Sequence, residues 1–142
     1  MTGPLNGVRV IDFSQVIAGP YGSAVLSDYG ASVVKVEPLQ GEMWRSVGGA
    51  GGFLAFNRGK RSLPIQLQTA EGREIFYQLA RNSDVMIENF RPGVMERLKL
   101  DYHTLAAINP RLIHVSVTAF GPTGPYAHRP GFDPLLQAMT GT

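Results

Sequence analysis

Two short apolar runs close to each other constrain this chain more than any other feature. Val8-Arg9-Val10-Ile11-Asp12-Phe13 and Ser32-Val33-Val34-Lys35-Val36-Glu37 enclose a segment punctuated like a helix, with Pro20 near its start and Gly30 just past its end. Each run is too continuous for a half-exposed strand and fits one buried on both faces. Strand, helix and strand within about thirty residues make a βαβ unit, whose crossover is right-handed. The small residues Gly22, Ser23 and Ala24 are expected to let the helix lie close to the sheet.

The rest of the chain repeats this alternation. Leu39 to Gly59 is expected to be a loop, flexible through Gly48-Gly49-Ala50-Gly51-Gly52. Leu63, Ile65 and Leu67 alternate with Ser62, Pro64 and Gln66, a period of two that predicts a half-buried strand. Pro64 lacks a ladder donor and puts that strand at an edge. Thr69 is placed to cap a helix running to about Asn82, with Ile75, Phe76, Leu79 and Ala80 on one face. A strand over Asp84 to Ile87, short helices over Val94–Leu98 and Tyr102–Ile108, and a strand over Leu112–Val117 follow. A helix begins near Asp133, which is placed as its N-cap. The expected fold is α/β: a Rossmann-like, mostly parallel sheet with flanking helices. The 142 residues suit one domain.

Several chemistries are excluded. No G-x-G-x-x-G follows a strand, and neither a P-loop nor a G-x-S-x-G elbow is present. There is no cysteine, and His103, His114 and His128 lack ligand spacing, so no metal site is expected. A net charge of +2 is too mild for nucleic acid. The densest basic stretch, Arg58-Gly59-Lys60-Arg61, reads as a solvated loop or a phosphate-facing patch. No apolar run approaches the ~18 residues of a membrane span. The amino-terminal stretch has no leader signature, so a cytoplasmic protein is expected. In open parallel sheets ligands bind beyond the carboxyl ends of the strands. Gln15 to Pro20, Glu88 to Gly93 and Ala119 to Asp133 fall there and are expected to assemble a pocket.

Those loops carry a recognisable ordered set. L-x-G-x-R-V-x-D-F (Leu5 to Phe13), A-G-P (Ala18 to Pro20), G-A-S-V-V-K-V-E-P (Gly30 to Pro38) and N-R-G-K-R-S (Asn57 to Ser62) come first. E-N-F-R-P-G-V-M-E-R-L (Glu88 to Leu98), L-x-x-I-N-P-R-L-I (Leu105 to Ile113), F-G-P-T-G-P-Y (Phe120 to Tyr126) and R-P-G-F-D (Arg129 to Asp133) complete it. Together they resemble the family III CoA-transferases, the CaiB/BaiF group. The resemblance implies an enzyme that moves CoA between an acyl-CoA and a carboxylic acid, with no permanently bound cofactor. It implies two domains and an interlocked homodimer, of which this chain matches the amino-terminal part of the large domain. An aspartate attacks the thioester in that family, giving a mixed anhydride and then an aspartyl-CoA thioester. That aspartate is expected beyond Thr142, so the chain alone is expected to be inactive.

Carried over position by position, Ile17 and Ala18 match a loop that touches CoA, and Asn89 and Phe90 match another. Arg97 matches an arginine near the phosphates, and Ile65 to Gln68 a strand beside the adenine. Gly131, Phe132 and Asp133 match a segment near the pantetheine. Pro38 and Pro130 depart from basic residues of some members, and Arg45 or Arg129 are candidates to substitute. Each residue also has a plainer role: Arg97 can pair with Glu96, Asn89 can cap a turn, and the two phenylalanines can be core. A 2-methylacyl-CoA racemase of similar fold is the alternative, although Phe132 stands where that subgroup has a proton-shuttling histidine. A non-catalytic CoA-binding module is the third reading.

Overall fold

The computed structural model describes residues 3–142. The stretch read above for a leader includes residues 1 and 2, which lie outside the described residues. Five strands, β1 (Arg9–Phe13), β2 (Ser32–Glu37), β3 (Arg61–Pro64), β4 (Val85–Glu88) and β5 (Ile113–Ser116), form one sheet in the order β3-β2-β1-β4-β5. All neighbours are parallel, with Asp12 beside Lys35 and Val10 beside Val85. Pro64 sits on an edge strand, as its missing N–H requires. The chain winds outward from β1 to β3 and then crosses back to β4. This switch of direction opens a crevice at the carboxyl ends of β1 and β4.

The strands' period of two divides the core. Ile11, Phe13, Val36 and Met86 face α4 (Ala70–Arg81), α5 (Val94–Leu98) and α6 (Tyr102–Ile108), where Phe76, Met95 and Leu105 complete a cluster. Phe76 is fully buried, and its truncation to alanine would cost about 3–5 kcal/mol. Val10, Val33 and Ile87 face the other side, beneath α1 (Ala18–Asp28), together with Ala31 and Leu26. Thr69 caps α4 through its hydroxyl, which accepts from the Gly72 N–H at 3.0 Å.

Five expectations need correction. The glycine-rich stretch is not a loop: it forms α2 (Trp44–Val47) and α3 (Gly49–Asn57). Gly48 is tolerated there because the Trp44 indole packs against its α-carbon; an added Cβ would come within 2.5 Å of Nε1. Phe53 is buried under the Arg45 guanidinium, 3.9 Å from the ring centre. Packing thus outweighs a glycine penalty of about 1 kcal/mol per residue. Close approach of α1 depends on Gly19 and not Gly22, because a Cβ at Gly19 would lie 2.4 Å from Ser14 Cβ whereas Gly22 faces open space. Ile75 turns outward from the α4 stripe and is exposed. Asp133 is the first residue of α7 (Asp133–Thr140), with Phe132 at the cap position, and accepts from Gln137 Nε2 at 2.6 Å. The basic stretch is not uniformly solvated, since Lys60 is buried.

Candidate functional site

The turn after β1 is held by side chains from four directions. Asp12 Oδ1 accepts from the Ser14 N–H at 3.0 Å and from the Ser14 hydroxyl. Lys35 Nζ donates to the Ser14 carbonyl at 2.9 Å. Asn89, just past β4, uses both ends of its amide: Oδ1 accepts from Gln15 N–H and Nδ2 donates to the Gln15 carbonyl, each at 2.8 Å. Glu42 Oε2 accepts from the Val16 N–H at 3.2 Å. Val16 has φ +67°, a region that costs a β-branched residue about 1–3 kcal/mol and persists only where its surroundings impose it. The turn is therefore fixed in advance of any ligand.

Beneath it lies a buried charge cluster. Lys60 Nζ reaches Asp12 Oδ2 at 2.7 Å, the Asn57 side-chain oxygen and the Pro20 and Phe56 carbonyls at 2.8 Å. Ser23 donates to Asp12 Oδ2 at 2.8 Å, and Lys35 Nζ stands 3.7 Å from the same oxygen. Burial raises the Asp12 carboxyl, but the Lys35 and Lys60 ammonium groups and the Lys60 and Ser14 hydrogen bonds outweigh it and hold it below the usual carboxylate range. Burial pushes the Lys60 ammonium down to about 8, against the attraction of Asp12. Nearby, Glu37 takes a bidentate pair from Arg45 (2.7 and 2.5 Å) and a hydrogen bond from Ser62 at 2.6 Å. These contacts and the Glu42 N–H override burial and bring Glu37 down to about 2. Arg45 is thereby committed to Glu37 and Phe53, and Arg129 stacks on Tyr126 at 4.4 Å.

On the opposite face of β1 a cavity of about 770 Å³ opens at the carboxyl ends of the strands. Phe13, Val36, Ile65, Leu67, Phe90 and Leu98 give it an apolar wall, while Gln15, Gln66, Gln68, Arg73 and Arg97 bring polar groups. The volume and the mixture suit an elongated ligand with an apolar part and anionic groups. Six of the residues carried over from the resemblance, Ile65 to Gln68, Phe90 and Arg97, meet here. Asn89 stands behind the wall as a clamp on Gln15. Ile17 is exposed, and Ala18 begins α1 outside the lining. Gly131 packs against Ala119 and Phe120, while Phe132 and Asp133 are exposed; none of these three lines the cavity.

The cavity is thus built by the segments after β1, β2, β3 and β4, whereas sequence had put the 119–133 segment in the wall. Two charged lining residues went unforeseen. Arg73, in the first turn of α4, donates to the Leu67 and Gln68 carbonyls at 3.3 and 2.9 Å. Glu42, in the loop between β2 and α2, is buried at 3% exposure. Among the described residues no aspartate lines the cavity, and no group of His, Cys, Asp and Glu side chains could hold a metal ion.

The profile described as CoA-transferase family III matches residues 5–142. The chain is 46% identical to the acetyl-CoA:oxalate CoA-transferase of Acetobacter aceti, over 98% of this chain and 37% of that protein. It is 46% identical to the succinyl-CoA–L-malate CoA-transferase beta subunit of Chloroflexus aurantiacus, over 99% of this chain and 36% of that one. The crystal structure of a CAIB/BAIF family protein from Brucella suis superposes with a TM-score of 0.96 at 43% identity, covering 99% of this chain and 40% of that chain. That of Rv3272 from Mycobacterium tuberculosis gives 0.93 at 44% identity, with the same coverage. The chain therefore spans little more than a third of the length of the curated relatives it matches.

Proposed function

The chain belongs to CoA-transferase family III, and from that premise we propose that its cavity holds the CoA part of an acyl-CoA, in a protein that moves CoA from that thioester to a carboxylic acid. The observation that carries the reading is the meeting of Ile65, Phe90 and Arg97, drawn from three separate segments, in the wall of one 770 Å³ cavity at the switch of strand direction. The apolar wall suits the adenine face, and the guanidinium of Arg97 suits a phosphate, to which arginine can present two parallel donors.

The transfer itself is proposed for a protein of the relatives' full length. Its covalent route through a carboxylate divides one difficult exchange into easier steps. In this scheme the nucleophile is an aspartate of the full-length protein; among the described residues no aspartate lines the cavity. In the same scheme the amino-terminal part of a two-domain enzyme supplies the coenzyme cradle, and a cytoplasmic homodimer is its working form. No resident cofactor is required. Among the described residues no helix is long and apolar enough to cross a membrane.

Calorimetric titration of the purified protein with CoA tests the reading. Binding is expected, and Arg97→Ala should weaken it about tenfold or more, the scale of a lost charge-assisted hydrogen bond. An unchanged Kd would remove Arg97 from the site, and absence of binding to the wild-type protein would remove the cavity.

A further inference from the structure

We propose that Arg73 is a specificity-determining residue for the coenzyme, whose free guanidinium edge takes the 3′-phosphate on its ribose. The inference rests on the coenzyme reading above and deepens it. Arg73 lines the cavity from the first turn of α4. Its Nη1 donates to the Leu67 and Gln68 carbonyls at 3.3 and 2.9 Å, which pins the guanidinium beside the apolar wall. The turn that carries it lies hard against the same segment: a Cβ added at Gly72 would lie 2.0 Å from the Gln66 carbonyl oxygen. Nε and Nη2 of Arg73 have no hydrogen-bond partner among the described residues, and neither atom is sealed from solvent. No carboxylate among the described residues pairs with Arg73, and its neighbour Glu74 is taken by Arg81 at 3.1 Å.

The open edge is one that grips an anion with two parallel bonds. Arg45 uses the same two atoms, Nε and Nη2, to hold Glu37 at 2.7 and 2.5 Å. Arg73 offers this fork unfilled, from the wall of a cavity, with its other nitrogen already anchored. A phosphate accepts two such donors, and an anchored fork loses less freedom when it binds one. An acyl-CoA brings a 3′-phosphate on the ribose and a diphosphate that leads to the pantetheine arm. Two lining cations without an acid partner among the described residues answer them, Arg73 on α4 and Arg97 on α5. The adenine suits the wall of Ile65 and Leu67, and Arg73 is bonded to that segment itself. The 3′-phosphate is confined to the sugar that carries the base, whereas the diphosphate leaves that sugar along the arm. Arg73 therefore matches the 3′-phosphate, and Arg97 the diphosphate.

Arg73→Met tests this, with CoA and 3′-dephospho-CoA as the two probes in calorimetric titrations. Wild-type protein should bind CoA about tenfold more tightly than the dephospho form. R73M should lose about that factor for CoA and hold its Kd for 3′-dephospho-CoA within about twofold. Arg97→Ala should weaken both probes alike, because both keep the diphosphate. Equal losses for the two probes in R73M would make Arg73 a prop for the backbone of residues 65–68 and overturn the proposal. So would an unchanged CoA Kd in R73M, a wild-type protein that does not distinguish the probes, or a loss confined to CoA in R97A. A wild-type protein that binds neither probe overturns the coenzyme reading and this inference with it. Should R73M not fold, NMR of the Arg73 Nε–H group in the wild-type protein decides. Its resonance is expected to shift with CoA and stay put with 3′-dephospho-CoA, and a resonance unmoved by CoA, or moved alike by both, overturns the proposal.

Discussion

Replacing Asp12 by asparagine should be among the most damaging single changes in the molecule, and replacing Lys60 by methionine should be much milder. The cluster holds two cations, Lys35 and Lys60, and one anion, Asp12, all at or below 2% side-chain exposure. Asp12→Asn leaves two buried ammonium groups with no counter-charge and turns an amide N–H toward one of them. Breaking a buried pair in this way costs about 3–5 kcal/mol. At about 2.1 cal/mol/K of unfolding entropy per residue, the 142 residues give roughly 0.3 kcal/mol/K, so Tm should fall by about 10–17 °C. Lys60→Met instead leaves Asp12 opposite Lys35, a neutral pair still served by Ser14 and Ser23. Its cost is the loss of the 2.7 Å hydrogen bond to Asp12 and of donors to the Pro20 and Phe56 carbonyls and Asn57, about 1–3 kcal/mol. Urea unfolding of the three proteins at neutral pH, compared at constant m-value, measures both changes. If K60M is as destabilised as D12N, uncompensated charge is not what governs the cluster and the reasoning fails.

Two further outcomes follow from the same geometry. The folded Lys60 pKa of about 8 lies below its ordinary 10.5, so between these values the unfolded chain holds a proton that the folded chain has released. Stability should therefore rise with pH across that window through this group, by about 3 kcal/mol at most, and K60M should lack the increment when both are unfolded in urea from pH 8 to 10.5. Asn89→Ala removes both amide contacts with Gln15; a loss of about 1–3 kcal/mol and faster hydrogen exchange at the Gln15 and Val16 amides are expected, and unchanged exchange would show that the turn does not depend on Asn89.

The sheet was legible because its signal is local. β1, β2, β4 and β5 are short runs carrying Val or Ile, and Pro64 declared the edge position of β3. The glycine stretch misled because composition reports backbone propensity and not packing. Trp44, Arg45 and Phe53 make a helix of it, and the contact that matters, a guanidinium on a ring, appears only once the stretch has folded back. The cavity was half legible. Topology pointed to the strand ends, and motif order to Ile65, Phe90 and Arg97. Arg73 lies in the first turn of a helix read only for its apolar stripe, and Glu42 lies in the loop between β2 and α2, outside every quoted motif.

The charge cluster shows where sequence reasoning stops, and why. Asp12 and Lys35 interrupt two apolar strands, and the period of two puts Asp12 on the face of Val10 and Lys35 on the face of Val33. Parallel pairing of the two strands then sets them side by side, as the register confirms. That much could have been deduced. Lys60 could not, because it enters from 48 residues away and its position depends on α3, which sequence did not foresee. The division also explains the site's form. Charge is confined to the α1 face, where it fixes the turn from below. The opposite face of the same strand carries Ile11 and Phe13, leaving an apolar wall on which a ligand can lie. One strand with alternating faces thus supplies both the rigid turn and the wall. Exchanging the two sets by a one-residue slip of register would bury the wall's apolar residues among the ammonium groups and open the charges to the cavity.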